Sequence, residues 1–160
     1  VVADLVNKQK NIIGIINAFL KFSDTNPNIS LSIVGGGQDE KLIIQHIKKQ
    51  NLTKKIKLHG RLSPEEINAL LGESFASILF SNYENLPCVI IEAFAAGVPF
   101  ISSEVGGIKE IINKERGILI PRQNENELVK AMNTVVVTEW DQKVIREYAI
   151  NKFSYDFGII

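Results

Sequence analysis

Several residue classes are scarce in this 160-residue sequence, and each shortage excludes a class of protein. There is one cysteine, Cys88, so no disulfide can form within the chain, which favours a reducing, cytoplasmic setting. The two histidines, His46 and His59, are too few and too scattered to suggest a metal site, and His46 is expected on a solvated helix face. No apolar run approaches the roughly 20 residues of a membrane-spanning helix.

Net charge is also lacking, because 18 basic residues balance 18 acidic ones. A nucleic-acid partner is therefore not indicated. The local exception is the lysine-rich stretch 48–57, "KKQNLTKKIK". A solvated helix end is the favoured interpretation, and contact with anionic lipid at a membrane surface is the alternative.

What the sequence does contain is an alternation of short apolar runs with amphipathic stretches. This alternation is typical of βαβ units around a parallel sheet, so we expect one doubly wound, Rossmann-like α/β domain over residues 1–160. The opening "VVADLV" predicts a strand cut into from a longer protein. Strands are predicted at 1–4, 29–34, 55–59, 76–80, 98–102 and 117–120.

Helices are predicted between these strands. Residues 12–20 carry apolar side chains at helical spacing. "SPEE", with Ser63 as N-cap and Glu66 three residues later, is a capping box that opens a helix ending near Gly72. The tail from about residue 139 predicts a terminal helix. Further helices are predicted over 39–50, 87–96 and 124–136.

Ligands of such folds bind at the carboxyl ends of the strands, so the loops there hold the candidate site. Lys8 and Lys10 follow the first strand and can meet an anion, or they are simply solvated. Gly35, Gly36 and Gly37 follow the second strand; this run is not GxGxxG and also suits a tight turn. Arg61 follows the third strand, where it either faces the crevice or has a structural role.

The fourth loop and its helix, "ENLPCVIIEAFAAGVPF", carry two carboxylates, Glu84 and Glu92. The helix is apolar on almost every side, which predicts that it is buried and that Glu92 leaves water at a cost. Glu92 then serves the helix dipole, pairs with an interior cation, or faces a ligand. Two carboxylates around a helix N-terminus suit a ligand with a diol, a phosphate and a second diol, such as a sugar nucleotide.

These motifs together resemble retaining glycosyltransferases of family four, which have the GT-B fold. The resemblance is carried by E-x7-E at Glu84 and Glu92, the following "EAFAAGVP" and the pair Gly106–Gly107. "DLVNKQKNIIGIINAF", "LSIVGGGQDE" and "IKLHGRLSPEEINALL" agree in order and spacing with other parts of the family's C-terminal, donor-binding domain. The match extends over nearly all of residues 1–153.

The resemblance implies roles for individual residues. Glu92 would bind the ribose hydroxyls and Glu84 the hydroxyls of the transferred sugar. Lys10 would neutralise the leaving diphosphate, whose charge grows in the transition state. The remaining implied donor-binding positions are Lys8, Gly35, Gly36, Arg61, Asn85, Leu86 and Pro87.

The resemblance also implies a reaction and a partner domain. Sugar transfer with retention would proceed on the front face of the donor, without a metal or other cofactor. The acceptor, a glycan or a lipid-linked sugar, would bind a second domain onto which the terminal helix crosses. We therefore expect the isolated chain to be inactive and its tail, including Phe153, Tyr155 and Phe157, to be poorly packed.

One departure and three alternatives accompany this hypothesis. Asp4 stands where the family usually has an arginine that grips the diphosphate, so either Lys8 or a group outside the chain compensates, or donor handling differs. The alternatives are a sugar-nucleotide 2-epimerase, a non-catalytic nucleotide-sugar-binding module and a dinucleotide-binding oxidoreductase. The last is disfavoured because GxGxxG is absent.

Overall fold

The computed structural model describes residues 1–85 and 87–153. Helices and strands alternate between residues 12 and 137 much as the sequence predicts, whereas residues 7–10, which were predicted to lie in a loop, form a short helix. In order they are α1 (Asn7–Lys10), α2 (Ile12–Thr25), β1 (Leu31–Ile33), α3 (Glu40–Lys49), β2 (Ile56–Leu58), α4 (Pro64–Gly72), β3 (Ser77–Leu79), α5 (Cys88–Ala95), β4 (Phe100–Ser103), a 3-10 helix (Gly106–Glu110), β5 (Gly117–Ile120), α6 (Glu125–Val137) and α7 (Gln142–Phe153).

Every pair of named strands is parallel. β1 pairs with β2, and β3 pairs with β4, which in turn pairs with β5. The predicted first strand is the exception, because the described chain forms only a single bridge there, between Val2 and Val34. Beside this bridge, the Ala3 amide donates to the Val34 carbonyl and the Leu5 amide donates to the Gly36 carbonyl.

The described strands form two sheets, β1–β2 and β3–β4–β5, and in the second of them alternate residues enter two apolar cores on opposite faces. In β3 and β4, Ile78 and Ile101 pack with α2, α3 and α6, while Leu79 and Phe100 pack with α4, α5 and α7. This period of two is what a strand buried on both faces requires. The doubly wound α/β fold is thereby confirmed.

Local signals in the sequence fix several helix ends. Ser63 Oγ accepts from the Glu66 amide at 3.2 Å, and Glu66 Oε2 accepts from the Ser63 amide at 2.8 Å, so the predicted capping box is confirmed. Asn11, at φ 47°, separates α1 from α2 and caps α2 through its side chain. The prediction for His46 is wrong: it is half-buried, with Nε2 2.7 Å from Asn17 Oδ1 of α2.

The terminal helix is packed, contrary to the expectation for the tail. Ile145, Ala149 and Phe153 of α7 are buried in the same core as α5. Arg146 donates hydrogen bonds to the Ala95 and Ala96 carbonyls at 3.1 and 3.3 Å and so caps the C-terminus of α5. Tyr155 and Phe157 lie outside the described residues, and the crossing of the tail to another domain stays a prediction.

Ser77 gives a stability prediction, because its hydroxyl is buried at 2% exposure and has no hydrogen-bond partner within the described part of the chain. An unsatisfied buried hydroxyl costs about 1–3 kcal/mol. Ser77→Ala should therefore leave the free energy of unfolding unchanged or raise it by up to about 1 kcal/mol, measured by urea denaturation. A loss of more than about 1 kcal/mol would show that the hydroxyl is satisfied.

Candidate functional site

The loops at the carboxyl ends of the strands are joined to one another by main-chain hydrogen bonds. We call residues 4–11, 34–39, 59–62, 80–85 and 104–107 the loop belt. Its bonds run from the Leu5 amide to Gly36, from Gly35 to Gly60, from Asn82 to Gln9 and from Gly107 to Asn85, at 2.7–3.3 Å. The parallel sheet thus brings together candidate residues that lie far apart in the sequence.

Lys10 and Glu84 form an ion pair at the centre of the loop belt. Lys10 Nζ lies 2.5 Å from Glu84 Oε1, and the two side chains are 14% and 7% exposed. Ser81 Oγ donates to the same carboxylate oxygen at 2.7 Å. A cation and an anion so far withdrawn from water satisfy each other, as a charge at such a position must.

Two cavities flank Glu84. One, of about 260 Å³, is lined by Gln9, Tyr83, Glu84, Asn85 and Pro87. The other, of about 380 Å³, has the following lining: Glu84, Asn85, Gly106, Gly107, Glu110, Ile111, Lys152 and Phe153. Glu84 and Asn85 line both spaces, and we call this two-residue segment the partition.

Gly106 and Gly107 bring their loop against the main chain of Glu84 and Asn85. Gly106 has φ +55°, and a Cβ there would lie 2.0 Å from the Glu84 carbonyl oxygen. Glycine is the residue that combines this backbone conformation with so close an approach. Gly106 and Gly107 therefore help to set the path of the main chain at Glu84 and Asn85.

The glycine turn after β1 likewise allows a close approach between two segments of main chain. A Cβ on Gly35 would lie 1.9 Å from the Ala3 carbonyl oxygen, and one on Gly37 would lie 2.7 Å from that of Leu5. Gly36 instead faces Arg61, whose Nε would be 3.4 Å from such a Cβ. Gly36 and exposed Arg61 therefore lie side by side at the rim, where a ligand can reach them.

Glu92 lies in a different environment from the one predicted. It is exposed, and so are Cys88 and Ala95, whereas Ile90, Ala93 and Phe94 are buried. The prediction that Glu92 is buried in an all-apolar helix is wrong, because the side of α5 that carries Glu92 faces solvent. Glu92 is thus free of any desolvation cost and available to a solvent-borne ligand.

The other candidates lie around the pair. Lys8 and Asp4 are exposed on the loop after Val2, and Asn85 is exposed beside Glu84. Pro87 precedes α5 in extended conformation. Leu86 lies outside the described residues.

Sequence reasoning missed polar residues that hold these loops. Ser81 and Ser103 are both fully buried, and Asn82 Nδ2 donates to the Lys8 carbonyl at 2.8 Å. Asp39 Oδ2 accepts from the Asn7 amide at 2.7 Å at the start of α1. For Ser81 and Asn82 a signal was available, since they come soon after buried β3 and polar residues there mark the ligand edge of a parallel sheet.

The part of the chain that the structure describes contains no group of three or more His, Cys, Asp and Glu side chains that could hold a metal ion. His59 bonds Ser32 Oγ at 3.0 Å, and burial, together with the Lys57 charge, lowers the pKa of His59. The expectation that no metal or cofactor takes part stays a prediction. None of the described helices has the length and apolar character needed to cross a membrane.

Comparison with known proteins gives one consistent family. Residues 1–152 match the family model described as "Glycosyl transferases group 1". The glycogen synthase of Mycobacterium tuberculosis strain H37Rv is 30% identical over 129 residues, which cover 80% of this chain and 31% of that protein. The chain therefore spans about a third of that relative's length.

Solved structures agree with the fold. Anabaena HepE in complex with UDP and glucose superposes with a TM-score of 0.86 at 20% identity, over 99% of this chain and 44% of HepE. A Staphylococcus aureus TarM mutant in complex with UDP superposes with a TM-score of 0.82 at 22% identity, over 97% of this chain and 32% of TarM. At such identities the likeness establishes the architecture.

Proposed function

This chain belongs to the glycosyl transferases group 1 family, and from that premise we propose that it is the donor-binding domain of a retaining, family-four glycosyltransferase. Its ligand is a nucleoside diphosphate sugar, which binds along the loop belt. The observation that carries the proposal is the Lys10–Glu84 ion pair at the carboxyl ends of the strands, whose glutamate lines two cavities. The pair places a cation for a diphosphate next to a carboxylate for sugar hydroxyls.

Each group has a task that follows from its chemistry. A carboxylate only accepts hydrogen bonds, so Glu84 suits the hydroxyls of the transferred sugar and exposed Glu92 suits the ribose diol. The Lys10 ammonium stabilises the negative charge that develops on the leaving diphosphate. Gly36 and Arg61 lie at the rim toward the nucleobase, and the backbone of Asn85 and Pro87 approaches the sugar and diphosphate.

In the reaction that we propose, the bond between the anomeric carbon and the diphosphate oxygen breaks as an acceptor hydroxyl oxygen bonds to the same face of that carbon. The acceptor proton passes to the leaving phosphate, so no residue of this chain has to act as a nucleophile. The charge that a metal could carry is assigned to Lys10 and to the amides at the start of α5.

The acceptor is a glycan or lipid-linked sugar that binds a second domain, outside this chain, and the isolated chain is inactive in transfer. A cytoplasmic location, with the whole enzyme at the membrane surface, suits such an acceptor and the exposed lysines of the stretch 48–57, Lys48, Lys49, Lys54 and Lys57. Asp4 replaces a second diphosphate cation, and exposed Lys8 is near enough in sequence to substitute for it.

Two carboxamide variants test the division of tasks. Glu92→Gln should weaken binding of the free nucleoside diphosphate roughly 5- to 10-fold, because an amide is a poorer acceptor for the ribose diol. Glu84→Gln should leave that affinity within about twofold and lower sugar transfer by the two-domain enzyme roughly 100-fold. Isothermal titration with UDP, GDP and ADP and a product assay with the corresponding sugar donors measure both effects.

Glu139→Gln is the matched control, since Glu139 is an exposed glutamate outside the loop belt and both readouts should stay unchanged. Equal losses of free-nucleotide affinity in the Glu84 and Glu92 variants would contradict the division. Failure of UDP-, GDP- and ADP-sugars alike to bind the wild-type chain at millimolar concentration would contradict the donor site itself.

A further inference from the structure

The Glu84 carboxylate is held by the protein through one of its two oxygens. Oε1 accepts hydrogen bonds from Lys10 Nζ at 2.5 Å and from Ser81 Oγ at 2.7 Å. Within residues 1–85 and 87–153, no donor contacts Oε2. One oxygen is therefore fixed, and the other is left for a hydroxyl of the ligand.

The two donors to Oε1 differ in how firmly they are anchored. Lys10 has a long side chain with many rotamers, 14% exposed, and its ammonium is the group that a diphosphate would attract. Ser81 has a short side chain, is fully buried directly after β3, and its own carbonyl accepts from Ser103 Oγ at 2.6 Å. Ser103 is also fully buried, in β4. Ser81 is thus anchored to the sheet, whereas Lys10 reaches Glu84 through a long side chain that has other rotamers.

We propose that Ser81 keeps Glu84 in position while Lys10 shifts from the carboxylate toward the diphosphate of a bound donor. The inference rests on the function proposed above. Without Ser81, a glutamate that loses its lysine would regain its rotamers, and Oε2 would no longer point in one direction. With Ser81, Oε1 keeps a partner throughout and Oε2 stays directed at the sugar. Ser81 touches no ligand and acts through Glu84 as a positioning residue.

A double-mutant cycle on sugar recognition tests this role. The quantity measured is the sugar increment, the ratio of the Kd of a free nucleoside diphosphate to the Kd of its sugar conjugate. The probes are UDP-glucose, UDP-GlcNAc, GDP-mannose and ADP-glucose, each titrated beside its own diphosphate. Ser81→Ala should lower the increment roughly three- to tenfold and leave the Kd of the free diphosphate within about twofold.

Glu84→Ala should abolish the increment, and Ser81→Ala should have no further effect in the Glu84→Ala background. A purely structural serine would instead lower both affinities alike or act additively with Glu84→Ala, and either result would overturn the proposal. If Ser81→Ala does not fold, Ser81→Cys, near in size but a weak donor, gives the same readouts.

Ser77→Ala is the matched control. Ser77 is a buried serine of β3 at 2% exposure whose hydroxyl has no partner among the described residues, so both Kd values should stay at wild type. A wild-type increment that depends on Glu84 but not on Ser81 would overturn this inference alone. Absence of binding by wild type to all of the conjugates would overturn the inference together with the donor site.

Discussion

Lys10→Met is expected to weaken binding of a free nucleoside diphosphate roughly 10- to 100-fold, the contribution of a hydrogen bond to a charged group. The reason is the position of the ammonium at the centre of the loop belt, beside a cavity that Gln9 and Glu84 line. The loss in sugar transfer should be larger than the loss in binding, since the charge on the leaving diphosphate grows in the transition state. Titration with UDP and turnover of the two-domain enzyme measure the two losses.

The same variant should also destabilise the fold. The Glu84 side chain is 7% exposed, and Ser81 would be its one remaining hydrogen-bond partner among residues 1–85 and 87–153. Removal of one member of a buried ion pair typically costs about 3–5 kcal/mol. We expect the free energy of unfolding, measured by urea denaturation, to fall by about 3 kcal/mol. This is the lower end of the range, because a carboxylate on a loop can turn partly into solvent.

The double variant Lys10→Met/Glu84→Gln separates the two effects. It should recover most of the lost stability, since no charge is left unpaired, and recover none of the diphosphate affinity. Lys114→Met, at an exposed lysine before β5, is the control and should change neither quantity. Wild-type UDP affinity in Lys10→Met would show that another group holds the diphosphate.

Gly106→Ala is expected to destabilise the protein by about 3 kcal/mol or more. The new Cβ would lie 2.0 Å from the Glu84 carbonyl oxygen, and φ at this position is +55°. The clash can be relieved only by moving the main chain of Glu84 and Asn85. UDP-sugar binding should therefore fall together with the unfolding free energy measured in urea.

Gly107→Ala provides the neighbouring comparison. A Cβ at Gly107 would have the Asn85 carbonyl oxygen as its nearest neighbour, at 3.7 Å, which is an ordinary contact. This substitution should lower the free energy of unfolding by less than about 1 kcal/mol. Equal effects of the two substitutions would show that the partition does not depend on the close approach of Gly106.

Features governed by local or periodic rules could be predicted from the sequence. The capping box of Ser63 and Glu66 needs only a four-residue segment, and strand alternation needs only a two-residue period. Lys10 and Glu84 could each be named as a candidate because parallel strands end at one edge. Their direct contact joins residues 74 positions apart and needed the structure.

The predictions that were wrong concern burial, that is, which sides of a helix are covered by other helices. Composition made α5 an all-buried helix, yet the side of Cys88 and Glu92 remains in solvent. The cover on its other side comes partly from α7, about 50 residues further along the chain, where Arg146 caps its last carbonyls. The same packing buries Phe153, which the sequence analysis expected to be poorly packed in the absence of a second domain. Burial is set by partners distant in sequence, and helical periodicity carries no information about them.

The loop belt has an evolutionary consequence. Its segments are joined through amides and carbonyls, such as Leu5 with Gly36 and Asn82 with Gln9. Main-chain links of this kind survive most side-chain replacements, provided the close-approach glycines are retained. Rim residues such as Tyr83 and Arg61, both exposed, can therefore vary without loss of the crevice's shape. A replacement at the rim therefore changes the chemistry that the crevice presents, while the main-chain frame around Lys10 and Glu84 keeps its shape.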